Sequence, residues 1–126
     1  MLARGVVAPG APEFKASDLV QATVKNLYPA GGGVPVVTTI DLGNTGELDK
    51  LLTAYRSMKP ANETGGHITS ADLYLNLALQ GNREMVVVLA KDIPQYVEIR
   101  EYRSGKLRRT IQVWPGAMFE YLVAKS

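Results

Sequence analysis

His67 is the only histidine in the chain, and it stands in a polar stretch, Gly65-Gly66-His67-Ile68-Thr69-Ser70-Ala71-Asp72. A histidine beside hydroxyls and a carboxylate can serve as a general base or a metal ligand. A metal site, however, needs three or four ligands, and there is no second His and no Cys to join it. A nucleophilic triad would need partners from loops that the sequence does not bring together. His67 is therefore expected to be an exposed loop residue, kept as a candidate contact. The carboxylates offer no acid–base pair either. Glu98 and Glu101 point to opposite sides of one strand. Asp41, Glu47 and Asp49 gather at a helix start, where negative charge is stabilising in its own right. Nothing sets two acids across a cleft, as glycoside hydrolysis requires.

Two other groupings can bind. Arg100, Arg103, Lys106, Arg108 and Arg109 surround a single hairpin with Tyr102 among them, a composition that suits nucleic acid or an anionic surface. Strand alternation divides the run, with Arg100 and Arg108 on the side of Tyr102 and Arg103 and Arg109 on the other. Phosphate binding needs a continuous patch, so nucleic acid is not the expected partner. Gly31-Gly32-Gly33 is not a phosphate cradle, because no Lys-Ser/Thr follows and a strand comes next. The aromatic side chains Tyr74, Tyr96, Tyr102 and Trp114 are the more suggestive set. With Arg108 and His67 they make up the candidate binding residues.

These residues must be held by a sheet. Leu73–Leu79, Met85–Ala90, Tyr96–Tyr102 and Leu107–Trp114 are four β-rich runs separated by turn residues, which predicts an antiparallel meander. In the first hairpin a two-residue Gly81-Asn82 turn sets Leu77 against Val86 and Leu75 against Val88. In the second, a three-residue loop, Ser104-Gly105-Lys106, with a bulge at Gly105, sets Ile99 against Ile111, Val97 against Val113, Glu101 against Arg109 and Tyr96 against Trp114. The aliphatic match selects that register, since a slip of one residue exchanges the two faces. The reverse face then carries Tyr74, Val87, Leu89, Tyr96 and Trp114, together with Tyr102, Arg108, Glu98 and Gln112. It is too apolar for water alone. Three covers are open to it: the C-terminal helix or N-terminal arm, a second copy, or a bound partner. The first ranks highest, because helices in such folds normally cover a sheet face.

The remaining elements follow in order. Asp18–Tyr28 alternates Val20, Ala22 and Val24 against Gln21, Thr23 and Lys25 as a strand with one wet face, and Val34–Ile40 is a second strand. Asn44 caps a helix over 45–58, with Glu47 placed to return the bond. Its stripe is Leu48, Leu51, Leu52, Tyr55 and Met58. Ala117–Lys125 is a short closing helix with Phe119, Leu122 and Val123 inward. The order β-β-α-β-β-β-β-α predicts an α+β fold with a mostly antiparallel sheet of five or six strands. Residues 1–16, rich in Pro, Gly and Ala, form a tether or arm, and residues 17–126 form a single domain.

At 126 residues, 46% apolar and 21% charged, the composition is that of a globular protein. The net charge of +2 gives no strong pull toward an anionic partner. Without cysteine there are no disulfides and no thiolate chemistry. No apolar run nears the roughly 20 residues of a membrane-spanning helix.

Between residues 17 and 124 the succession Asp41-Leu42, Glu47-Leu-Asp-Lys-Leu-Leu52, Ala71-Asp-Leu-Tyr-Leu-Asn-Leu77, a Gly turn, and Trp114 before a helix with Phe119 resembles small extracytoplasmic domains of bacterial lipoproteins and membrane-anchored proteins of unknown function. The matching positions are scaffold positions, and the resemblance brings no catalytic residues. The lipid-bearing cysteine of that group is missing, which fits an anchor lying upstream. The resemblance implies a non-catalytic accessory or sensory domain, outside the cytoplasm, that binds a protein, peptide or cell-envelope component without a cofactor. The alternative is a cytoplasmic interaction or assembly module that forms a homodimer through the aromatic sheet face. A small hydrolase or nucleic-acid binder using His67 or the basic hairpin is the third class.

Overall fold

A computed structural model describes residues 11–29, 32–61, 68 and 70–126. Seven strands form one antiparallel sheet: β1 (Leu19–Asn26), β2 (Val36–Thr39), β3 (Lys59–Pro60), β4 (Leu73–Leu79), β5 (Arg83–Leu89), β6 (Val97–Arg103) and β7 (Lys106–Trp114). Their spatial order is β2-β1-β4-β5-β6-β7-β3. Six are full strands, and β3 is a two-residue bridge on the edge of β7. The helices are α1 (Thr45–Arg56) and α2 (Met118–Lys125). The expected α+β class and element order hold.

The β6–β7 hairpin keeps the expected register, with Val97 opposite Val113, Ile99 opposite Ile111 and Glu101 opposite Arg109. Its loop differs. Ser104 and Gly105, both at positive φ (51° and 80°), form a two-residue turn that pairs Arg103 with Lys106. The extra residue lies inside the strand, as a bulge at Arg108 between the Glu101–Arg109 and Tyr102–Leu107 pairs. Two successive left-handed residues suit the twist of a tight hairpin, and the bulge then restores the aliphatic match. The ladder ends at Val97–Val113, one residue short of the expected Tyr96–Trp114 pair.

The β4–β5 hairpin departs from expectation by one residue. Leu79 pairs with Arg83 across a three-residue turn, so Leu75 faces Val87 and Leu77 faces Met85. Gln80 belongs to the turn, and its N–H donates to Asp18 O at 2.9 Å beyond the end of β1. The run Met85–Ala90 is apolar at every position, so its own pattern selects no face. As a result Met85, Val87 and Leu89 join the leucines, while Val86 and Val88 go to the reverse face.

The leucine face is the main core. It joins Leu73, Leu75, Leu77, Met85, Val87, Leu89, Val97, Ile99 and Val113 to Leu51, Tyr55, Met118 and Leu122 from the helices and to Met58 just past the end of α1. Each fully buried leucine contributes about 1.5–3 kcal/mol. Within β1, Ala22 and Val24 are buried as expected, but a bulge between Leu19 and Gln21 turns Val20 outward, 61% exposed. The Asn44 side chain caps α1 by accepting from Glu47 N at 3.1 Å. Glu47 does not return that bond; its carboxylate pairs with Lys125 and ties α2 to α1. In α2 the buried residues are Met118 and Leu122, with Phe119 partly buried, whereas Val123 faces water instead of the core.

The helices meet at a junction that requires glycine. Gly116 has φ +54°, and a Cβ there would lie 2.5 Å from Ser57 O. Ser57 Oγ donates to Ala54 O at 2.6 Å and accepts from Ala117 N at 2.9 Å, joining the end of α1 to the start of α2.

Both helices therefore lie on the leucine face, and so does the described part of the arm. Phe14 packs edge-on against Tyr55, 4.9 Å between ring centres. The Tyr55 hydroxyl donates to Pro12 O at 2.5 Å. The first-ranked cover for the reverse face is thus ruled out for α2 and for residues 11–15: the leucines offered the larger apolar area, and both elements packed there.

Candidate binding face

The registers place three rows of side chains on the reverse face. One runs Val37, Lys25, Tyr74, Val88, Glu98, Gln112; the next runs Thr39, Thr23, Asn76, Val86, Arg100, Thr110; the third includes Ala78, Glu84 and Tyr102. From β1 to β7 the first two rows thus change from polar, at Lys25 and Thr23, to apolar, at Val88 and Val86, and back to polar.

One half of this face is covered. Ile68, Ala71, Val86, Val88, Ala90 and Tyr96 form a second apolar cluster, with Tyr74, Ile93 and Tyr102 packed against it. Glu98 anchors the cover. Its carboxylate is fully buried, accepts from Ile68 N at 3.2 Å, and accepts from Arg100 Nε at 2.8 Å. Arg100 Nη2 in turn donates to Ile68 O at 3.2 Å. Burial works against the charged guanidinium, but the hydrogen bond and field of Glu98 outweigh it and raise the Arg100 pKa. A buried charge persists only when paired and hydrogen-bonded in this way.

The other half is open. A shallow hollow of about 300 Å³ is lined by Lys25, Tyr74, Asn76, Glu84, Val86, Arg100 and Tyr102. Asn76 Nδ2 donates to Glu84 Oε2 at 3.1 Å across its floor. Tyr74 and Tyr102 are half-buried on strands two apart, β4 and β6, so the hollow holds aromatic rings beside a guanidinium fixed from behind by Glu98.

Two larger hollows lie on the opposite side. One, of about 340 Å³, separates Phe14 and Glu13 from α1; the other, of about 470 Å³, separates α1 from α2. Both are gaps between elements rimmed by long charged side chains. In the second, the Tyr121 hydroxyl has no hydrogen-bond partner among the described residues, and burial pushes its pKa up to about 12.

Of the six candidate residues, Tyr74 and Tyr102 come together in the open hollow. Tyr96 is only 9% exposed and supports the covered half. Trp114 is on the reverse side at the far edge, 46% exposed, with its backbone paired to Lys59. Arg108 is the exposed bulge residue and does not line the hollow. His67 lies outside the described residues. Lys25, Asn76 and Glu84 were missed, and Arg100 entered only as part of the basic run, although the β1–β4–β5–β6 registers bring all four to the three adjacent rows of this face. The basic run is divided as the alternation implied: Arg100 is held by Glu98 on the reverse face. Arg109 is held by Glu101 at 2.6 Å beside Arg83 at 2.8 Å, at the end of the leucine face. Burial alone would raise the Glu101 pKa; the bonds from Arg109 and Arg83 outweigh it and lower it. Among the described residues, no three His, Cys, Asp or Glu are grouped to hold a metal ion. No described helix is long and apolar enough to cross a membrane.

Comparisons with protein-family models, with curated proteins and with solved structures find no match to this chain.

Proposed function

We propose that this chain is a non-catalytic binding domain that takes a protein, peptide or cell-envelope component on the open half of its reverse sheet face. The observation that carries the reading is the hollow of about 300 Å³, in which Tyr74 and Tyr102 flank the fixed guanidinium of Arg100. Tyr and Arg are the side chains that dominate protein recognition, because each offers a large contact area together with a polar end. Asn76, Glu84 and Lys25 supply a polar rim. The proposal includes a place outside the cytoplasm, supported by the Pro/Gly/Ala-rich composition of residues 1–16, which suits a spacer.

The test is retention from a solubilised bacterial envelope fraction on immobilised protein, comparing the native chain with the double variant Tyr74→Ala/Tyr102→Ala. A component retained by the native chain and lost by the folded double variant supports the reading. Identical retention by both would sink it.

A further inference from the structure

We infer that the β2 edge of the sheet is a self-association surface, and that two copies of this chain pair antiparallel through Val36–Thr39 into one continuous sheet. This surface is separate from the hollow proposed above.

The two sheet edges differ sharply in chemistry. At the β7 edge, Lys106, Arg108 and Arg109 line the strand, and the bridge Lys59–Pro60 covers its end. Charge, proline and a covering segment are the usual devices that block edge-to-edge pairing. The β2 edge has none of them within its paired segment. All four of its residues are exposed, and no charged residue occurs from Asn26 to Ile40. Of the eight exposed large apolar side chains among the described residues, five (Val20, Tyr28, Val34, Val36 and Val37) belong to this one hairpin.

The hydrogen-bond pattern fits a second copy. Ile40 N donates to Ala22 O at 2.9 Å, so Ala22–Ile40 is a hydrogen-bonded pair of the β1–β2 ladder. Alternation makes Val24–Thr38 and Asn26–Val36 hydrogen-bonded too, and turns the N–H and C=O groups of Val37 and Thr39 outward. An antiparallel partner on a two-fold axis through Thr38 sets Val37 against Thr39 of the second copy, and the reverse. Four N–H···O bonds close between identical segments, as an isologous contact requires. Pro35, which has no N–H, falls just outside them. The electrostatics are permissive as well. On the leucine face Lys125 lines a hollow with Val36 and Thr38, but its charge is balanced by the ion pair with Glu47. On the reverse face the charged residue nearest the edge is Lys25, and the two copies of it lie three strand spacings apart. That is about 14 Å, beyond the Debye length of about 8 Å at physiological salt.

A four-residue edge buries little area, so the dimer is weak and concentration-dependent. Sedimentation velocity from about 10 μM to about 1 mM covers the range expected for a contact below roughly 1,000 Å². The native chain shifts from monomer to dimer across it. Val37→Pro removes an outward N–H and leaves the bonds to β1 in place. It raises the dissociation constant at least about tenfold, through the two bonds lost across the axis. Tyr102→Ala leaves it unchanged. Thr38→Cys gives an independent readout if the proline variant misfolds. The two Thr38 residues form a non-hydrogen-bonded pair about 4.5 Å apart at Cα, within disulfide reach. With no other cysteine in the chain, air oxidation links Thr38→Cys into dimers well ahead of the α1 surface control Thr53→Cys. The inference is overturned by any of three results: a native chain monomeric throughout with no preferential Thr38→Cys linkage, a dimer that survives Val37→Pro but not Tyr102→Ala, or a monomer whose β2 amides shift only on adding an unrelated extended Val/Thr peptide.

Discussion

On the leucine face, Leu73, Leu75, Leu77, Met85, Val87 and Leu89 are sealed under two helices; on the reverse face, the same two strands, β4 and β5, present Tyr74, Asn76, Ala78, Glu84, Val86 and Val88 to a cover that reaches only part of the way. The first face excludes water with aliphatic surface. The second does so locally, by pinning the Ile68 backbone with a buried carboxylate and its arginine. Aliphatic burial is tolerant of small shifts, whereas a buried ion pair demands its partners in place. The leucine face is therefore built for stability. The reverse face holds a fixed charge beside aromatic rings, the arrangement on which the proposed recognition rests.

Truncation should separate the faces most clearly. Leu77→Ala is expected to cost about 3–5 kcal/mol by chemical denaturation, since it opens a cavity in a fully buried layer. Val86→Ala, on the reverse face, should cost about 1–2 kcal/mol. Equal losses would erase the distinction. Next in size, Glu98→Ala leaves Arg100 and the Ile68 N–H without their shared acceptor. A loss of about 2 kcal/mol is expected, with faster hydrogen exchange at Ile68 than in β4. Exchange that stays slow at Ile68 would show that the cover does not depend on Glu98.

The ionisable groups of the leucine face set the pH limits. Glu101 has a lower pKa folded than unfolded, so its contribution is complete above the ordinary carboxylate value of 4.5 and is lost as pH falls through and below it. Tyr55 and Tyr121 are raised above 10.0, mainly by burial, so their contribution is complete below pH 10.0 and is lost as pH rises beyond it. Thermal midpoints across pH should thus fall at both ends, and Glu101→Gln should flatten the acid limb. Tyr55 and Tyr121 should ionise last in a 295 nm titration. The smallest stability effect, about 1 kcal/mol, is expected for Tyr102→Ala, a half-buried side chain. Its effect on retention of a partner should be far larger than its effect on the thermal midpoint.

Local rules reached a good part of this. Asn44 and Leu48 to Met58 marked the helix because capping and the 3.6-residue stripe act within a few residues. Val97, Ile99, Ile111 and Val113 set the β6–β7 register because they alternate cleanly with polar neighbours. Met85 to Ala90 do not alternate, so only Gln80, engaged by Asp18, and the strands on either side assigned their faces. Likewise nothing near Met118 and Leu122 specifies which side of the sheet α2 covers; that follows from Gly116 packing on Ser57 and from the larger apolar area of the leucine face. The buried state of Glu98, and the hollow that Tyr74, Tyr102 and Arg100 share, depend on residues more than 25 positions apart in the chain. Contacts of that span form only when the whole sheet closes, because their geometry is set by neighbouring strands and not by the residues themselves.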